Sequence, residues 1–129
     1  MSDVVLEIKG RIPSKKNSLR RMKFGKKVVT IASKEYIDWE RTAVVLFAAL
    51  VSGRGLPLPF KRVSVDVAIT FPDRRRTDMS NKIEGLMDSL VKAGVIEDDN
   101  WTVVPDLRVR ALGHDPVRAG ARITIKEEE

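Results

Sequence analysis

Between Val63 and Phe71 the apolar residues Val63, Val65, Val67, Ile69 and Phe71 take every second position, with mainly polar residues between them. Only an extended chain turns a period of two into one buried face, so the segment predicts a strand laid on a core. The period then changes: Met79, Ile83, Leu86, Met87 and Leu90 recur at three- and four-residue intervals, predicting a helix over Met79 to Lys92 with one apolar face. The connector holds Arg74, Arg75 and Arg76. A strand that delivers an arginine triplet to a helix start is the frame that the other segments must cover.

Those segments follow the same two periodicities. Val4, Leu6 and Ile8 alternate as a strand ending near Pro13. Pro13 to Lys27 lacks apolar periodicity and is rich in lysine and arginine, which reads as a loop or arm: either a solvated loop or a clamp on a nucleic-acid backbone. Lys27 to Ile31 suits a short strand, and Ser33 offers an N-cap for a helix from Lys34 to about Ser52. Within it TAVVLFAALV is apolar all round, so burial on more than one side is expected, part of it against a second copy of the chain. Gly53 to Pro59 is a turn-rich connector.

Near the carboxyl end, Val103, Leu107, Val109 and Ala111 suit a strand whose start is limited by Pro105; a turn follows at Gly113 to Pro116, leaving His114 exposed. Ala121, Ile123 and Ile125 alternate as a last strand. The order β-β-α-β-α-β-β predicts one α+β domain over residues 1–129: a mixed, mainly antiparallel sheet with two principal helices.

Composition narrows the chemistry. The chain has no cysteine and one histidine, which removes disulfides, thiolate catalysis, Cys-ligated zinc and His-rich sites. Ionic chemistry must rest on carboxylates, which favours hard cations, magnesium first and manganese second. The net charge of +6 points to a polyanion, nucleic acid rather than a membrane. No run approaches the roughly 18 to 20 apolar residues of a membrane span, and no signal peptide is evident, so a cytoplasmic location is expected.

On the helix, Ser80, Glu84 and Asp88 stack one turn apart opposite the apolar face, with Asn81 beside them and Asp78 just ahead of the first turn. Each has an ordinary structural account: Asp78, Ser80 or Asn81 as N-cap, Asn81 with Glu84 as a capping box, Asp88 with Lys92 as a helix ion pair. Glu97, Asp98 and Asp99, followed by Trp101, form a second acidic group whose mutual repulsion asks for a cation or for solvent. If that turn returns beside Phe71, Asp78 and the Asp98-Asp99 pair converge near the helix start, with Arg74, Arg75 and Arg76 at the rim.

The stretch DRRRTDMSNKIEGLMDSLVKAGVIEDDNWTVV resembles the signature of the RusA family of Holliday junction resolvases, and Pro13, Ser14 and Asn17 match its early Pro-Ser-x-x-Asn motif. The resemblance implies a homodimeric, magnesium-dependent endonuclease, often carried by phages and prophages, that makes paired nicks in a four-way DNA junction. It places catalytic aspartates at Asp78 and Asp99, with Asp98 beside the latter, the family asparagine at Asn81 and the helix aspartate at Asp88. Two positions depart: the second catalytic aspartate is Ser80, and the catalytic lysine is Glu84. Because Glu84 lies one turn from Ser80, its carboxylate is expected to replace the missing one. The expected ligand set is then Asp78, Glu84 and Asp99, with Asp98 accessory and Ser80, Asn81 and Asp88 in support. Lys15, Lys16 or an arginine of the triplet takes the part of the lost lysine. DNA contacts are expected from Lys15, Lys16, Asn17, Arg20, Arg21, Arg74, Arg75 and Arg76. The competing expectations are a non-catalytic branched-DNA binder with a degenerate metal site and a basic RNA-binding domain.

Overall fold

The computed structural model describes residues 3–15 and 19–128, with the side chains of 19–22 and 29–32 outside that description. Its elements are β1 (Val4–Lys9), β2 (Leu19–Phe24), β3 (Lys27–Ala32), α1 (Lys34–Val51), β4 (Val63–Phe71), α2 (Met79–Lys92), β5 (Asp106–His114) and β6 (Gly120–Glu127). The main sheet runs β1-β6-β4-β5, and β2 pairs β3 in a separate two-stranded sheet. β6 is antiparallel to both β1 and β4, whereas β4 and β5 are parallel. A parallel pair needs a crossover, and α2 supplies it.

The register explains the core. Leu6 faces Ile123, which faces Val67; Val4 faces Ile125, which faces Val65. All six are buried, giving a continuous apolar band on the face that α1 and α2 cover with Phe47, Leu86 and Leu90. The opposite face is polar, where Arg122 pairs with Glu7 and Arg110 with Asp66. Gly120 makes the β1–β6 contact possible: it sits at φ +149, and a Cβ there would lie 2.3 Å from the Ile8 carbonyl oxygen.

Both helices keep the bounds predicted for them to within a residue, and the Ser33 hydroxyl accepts from the Tyr36 amide as the α1 cap. On α1, Ala43, Phe47 and Val51 are buried, while Val45 and Leu50 remain exposed on the single chain. Among the described residues no helix is long and apolar enough to cross a membrane.

Three local expectations need correction. Part of the expected arm is strand: Leu19–Phe24 pairs with Lys27–Ala32, and Gly25, at φ +62, takes the two-residue turn between them. Basic side chains interrupt the apolar alternation there and mask the strand signal. β5 continues through Gly113 and His114, because its pairing with β4 resumes after a register shift between Ile69 and Thr70. Lying at the sheet edge, it leaves Leu107 and Ala111 exposed rather than buried, while Val103 is buried ahead of the strand.

Candidate active site

β4 ends at Phe71 and α2 begins at Met79, so residues 72–78 lie at the carboxyl end of a parallel strand, where open sheets present their binding crevices. Asp78 is the N-cap residue with extended backbone, yet its side chain makes no capping hydrogen bond. Simple capping therefore does not account for its carboxylate. Ser80 and Glu84 are exposed and Asp88 is half-buried.

Asn81 departs from the expected polar stripe: it is buried, and so is Lys82, which is only 5% exposed. The Lys82 ammonium donates to the Ile12 carbonyl at 2.6 Å. Burial is the first cause that depresses its proton affinity, followed by the nearby charge of Arg11; Glu35 acts in the opposite sense.

On the acidic side, the Lys15 ammonium donates to Asp88. That hydrogen bond is the first cause raising the Lys15 pKa; burial opposes it, and the charges of Asp88, Glu84 and Glu40 add to the rise. Lys15 thus stands in the field of three carboxylates from two helices. The predicted Asp88–Lys92 pair does not form, because Lys92 reaches across to Glu40 on α1 at 2.6 Å. Glu40 also accepts from the Tyr36 hydroxyl at 3.2 Å. Burial first, then the Glu40 charge, pushes that phenol well above its ordinary value.

The second acidic group is set by backbone pairing around Phe60. The Phe60 amide donates to the Val95 carbonyl and the Glu97 amide donates to Phe60, each at 2.9 Å. Asp98 then folds the turn, accepting from the Asp99 amide at 2.7 Å and the Asn100 side-chain amide at 3.0 Å. Asn100 accepts from the Thr102 amide at 2.9 Å and the Val103 amide at 3.3 Å. These bonds leave Asp99 presented at the turn with its carboxyl pushed up. The first cause is partial desolvation, then a hydrogen bond with Asp98, then the charges of Asp88 and Asp98. The charge of Asp88 reaches Asp99, so the turn lies by the carboxyl half of α2. Its pairing with Phe60 puts it at the amino end of β4 and not beside Phe71 as expected, and the expected convergence with Asp78 and the arginine triplet at the helix start does not form. Trp101 beside the turn is 78% exposed, so it does not cap the core.

The arginine triplet is partly anchored. Arg74 Nε donates to His114 Nε2 at 3.2 Å, so His114, though exposed, holds the triplet to the end of β5. The Arg75 amide donates to Asp73 at 2.9 Å, and its guanidinium makes only a loose 3.9 Å contact there. Lys16 and Asn17 lie outside the described residues, as do the side chains of Arg20 and Arg21 on β2. The donors of the two acidic groups are all carboxylate oxygens, a set suited to a hard divalent cation. Among the described residues, no three acidic or imidazole groups form a ready metal cage.

The model of the family described as endodeoxyribonuclease RusA matches residues 11–126. The chain belongs to the RusA family. Among curated RusA proteins, a crossover junction endodeoxyribonuclease of Enterobacteria phage HK97 is 41% identical over 67 residues, covering 51% of this chain and 54% of that protein. A second, from Aquifex aeolicus strain VF5, is 33% identical over 63 residues, covering 49% and 48%. The matched stretch thus spans about half the length of these curated RusA relatives. Two features of this RusA chain escaped sequence reasoning: Lys82 held by the Ile12 carbonyl, and Lys15 held by Asp88. Both are long-range contacts, and only the Lys82 next to Asn81, within a polar run at a helix start, hinted at the first.

Proposed function

We propose that the chain is a divalent-metal-dependent endodeoxyribonuclease that acts as a homodimer on four-way DNA junctions, with magnesium as the working ion and manganese as its substitute. The observation that supports this best is the shared field of Asp99, on the turn after α2, and Asp88, on the helix. Two carboxylate groups separated in sequence lie within electrostatic reach of one another beside the carboxyl half of α2, an acidic patch of the kind that phosphodiester chemistry with a hard cation uses. The names of the phage HK97 and Aquifex relatives point the same way.

Asp78, Glu84 and Asp99 are the proposed ligand set, with Asp98 holding the turn that presents Asp99. Glu84 supplies the carboxylate absent at Ser80. A bound cation would polarise the scissile phosphate and lower the pKa of an attacking water. Lys15 takes the part of the family lysine: its ammonium already lies on Asp88 beside Glu84, where it can donate to a phosphate oxygen as negative charge builds. Arg74, fixed by His114, and its neighbours Arg75 and Arg76 hold adjoining phosphates. Trp101 offers an open face to an unpaired base at the branch point. Val45 and Leu50, exposed on α1, are the apolar surface available to a second copy.

The lack of a ready three-carboxylate cage among the described residues favours one second reading, a junction binder that no longer cuts. A labelled four-way junction incubated with magnesium separates the two. Native protein is expected to release paired nicks, and Asp78→Asn and Glu84→Gln are expected to bind without cutting. Binding without metal-dependent nicks in the native protein overturns the nuclease, and full activity of Glu84→Gln overturns the substituted ligand.

A further inference from the structure

On the other flank of α2 lies a cleft of about 280 Å³ between residues 11–14, which follow β1, and the 71–77 connector. Liquid water takes about 30 Å³ per molecule, so the cleft has room for a solvated anion. Four cationic side chains line it, Arg11, Arg75, Arg76 and Lys82, against the two carboxylates of Glu35 and Asp73. Lys82 forms its wall from within, 5% exposed, with the Ile12 carbonyl as its hydrogen-bond partner. Among the described residues no carboxylate forms an ion pair with Lys82, Arg11 or Arg76, and Arg75 has only its loose contact with Asp73. A buried ammonium with one neutral acceptor has two further N–H donors and an uncompensated charge, which costs stability until an anion arrives.

We propose that this cleft is a phosphate socket, in which a backbone phosphate of the DNA strand sits between Lys82 and the guanidinium groups of Arg11, Arg75 and Arg76. The assignment rests on the nuclease reading for its ligand, but not for its geometry. Arginine forks match the oxygens of a phosphate, and a single buried ammonium fixes where the group comes to rest. The cleft lies at the carboxyl end of β4, and Lys15, three residues beyond Ile12, reaches Asp88 farther along α2. A strand seated in the cleft can therefore continue along the helix that carries the acidic stripe, and the socket holds that strand in register on α2.

The test uses the full chain and a four-way junction in EDTA, so that binding is read without cutting. Single neutral methylphosphonates replace, one at a time, the phosphates flanking the cut. One position is expected to weaken native binding on the order of tenfold. Lys82→Gln, which keeps a donor for Ile12, is expected to lose the same factor on unmodified DNA and to become indifferent to that one methylphosphonate. Arg11→Gln, an exposed change, gives the same reading if Lys82→Gln does not fold. A methylphosphonate profile unchanged from native in the folded variants overturns the socket. In a second arm, inorganic phosphate is titrated against chloride at matched ionic strength, with the amide resonances of residues 11–14 and 71–77 as readout. Phosphate binding that Lys82→Gln abolishes, with no coupled strand position, overturns the strand phosphate in favour of a free one. A coupled position in a protein that never cuts with magnesium upholds the socket and overturns only the nuclease. An uncoupled profile in a protein that cuts does the reverse.

Discussion

Lys15 and Asp88, 73 residues apart in the chain, meet in a direct ion pair at the half-buried edge of α2. The pair ties the segment after β1 to the helix that carries the acidic stripe, and its strength depends on a proton. The folded pKa of Lys15 is raised, so its contribution to stability is complete below the ordinary lysine value of 10.5 and is lost as pH rises through the higher folded value. Both side chains retain solvent access, which limits the contribution to about 1 kcal/mol or less. Urea unfolding at pH 8 should therefore show Lys15→Met less stable than native by about that amount, with the gap closing as pH rises past the ordinary lysine value of 10.5. A gap that is constant with pH refutes the pairing.

Asp99 is expected to show a conflict between stability and activity. Its carboxyl is pushed up, so the charged form is disfavoured in the fold: stability is greatest at low pH and declines as pH rises through the raised folded value. Asp99→Asn removes that strain together with the ligand. Differential scanning calorimetry at pH 7 should find the variant at least as stable as native, while junction nicking is lost. A clear drop in Tm would show that Asp99 holds the turn rather than being held by it.

Gly85 keeps α2 close to α1. A Cβ at this position would lie 3.0 Å from Tyr36 Oη and 3.2 Å from its Cε2. Alanine favours a helix by up to about 1 kcal/mol over glycine, but overpacking costs about 1 to 3 kcal/mol, and the ring is buried and cannot swing away freely. Gly85→Ala should lower stability on balance, and adding Tyr36→Phe should recover part of the loss. Equal stability of Gly85→Ala and native in chemical denaturation contradicts the close contact.

Gly120→Ala should be more damaging, about 3 kcal/mol or more, because both φ +149 and the Ile8 carbonyl exclude a side chain. The loss should appear as disrupted protection of the β1–β6 amides in hydrogen exchange. Normal protection in that variant would rule out the pairing of Lys9 with Gly120.

Trp101 gives an optical signal. Being 78% exposed, it should emit at long wavelength and be quenched by junction DNA. Trp101→Ala should weaken junction binding by about 1 to 3 kcal/mol, the range for one base stacked on an aromatic ring. An unchanged Kd assigns the ring no part in binding.

The fold was legible wherever one periodicity held. The alternation from Val63 to Phe71 and the helical spacing from Met79 to Lys92 fixed β4 and α2 because each buries apolar side chains on a regular face. β2 was not legible, since its alternation is diluted by arginine and lysine and its partner is only the adjacent strand. At the site, the sequence named the acidic groups but set the second beside Phe71, whereas backbone pairing holds it beside Phe60, and it missed the assignment of Asn81 and Lys82 to the buried side. α2 is a crossover helix closed in by residues 11–14 as well as by the sheet, and the apolar stripe reports only the sheet. Asp98 and Asn100 as the builders of the turn follow from hydrogen bonds that look, in sequence, like spare acidity.

The short run from Ile12 to Lys15 grips α2 twice, once through a carbonyl on Lys82 and once through an ammonium on Asp88. Two grips on different flanks act as a torsional clip: they set how far the helix is rolled about its own axis. One residue of helix corresponds to a roll of about 100°, and one inserted residue adds about 3.3 to 3.6 Å of chain, so a change of length at this point would release one grip or turn the acidic stripe away.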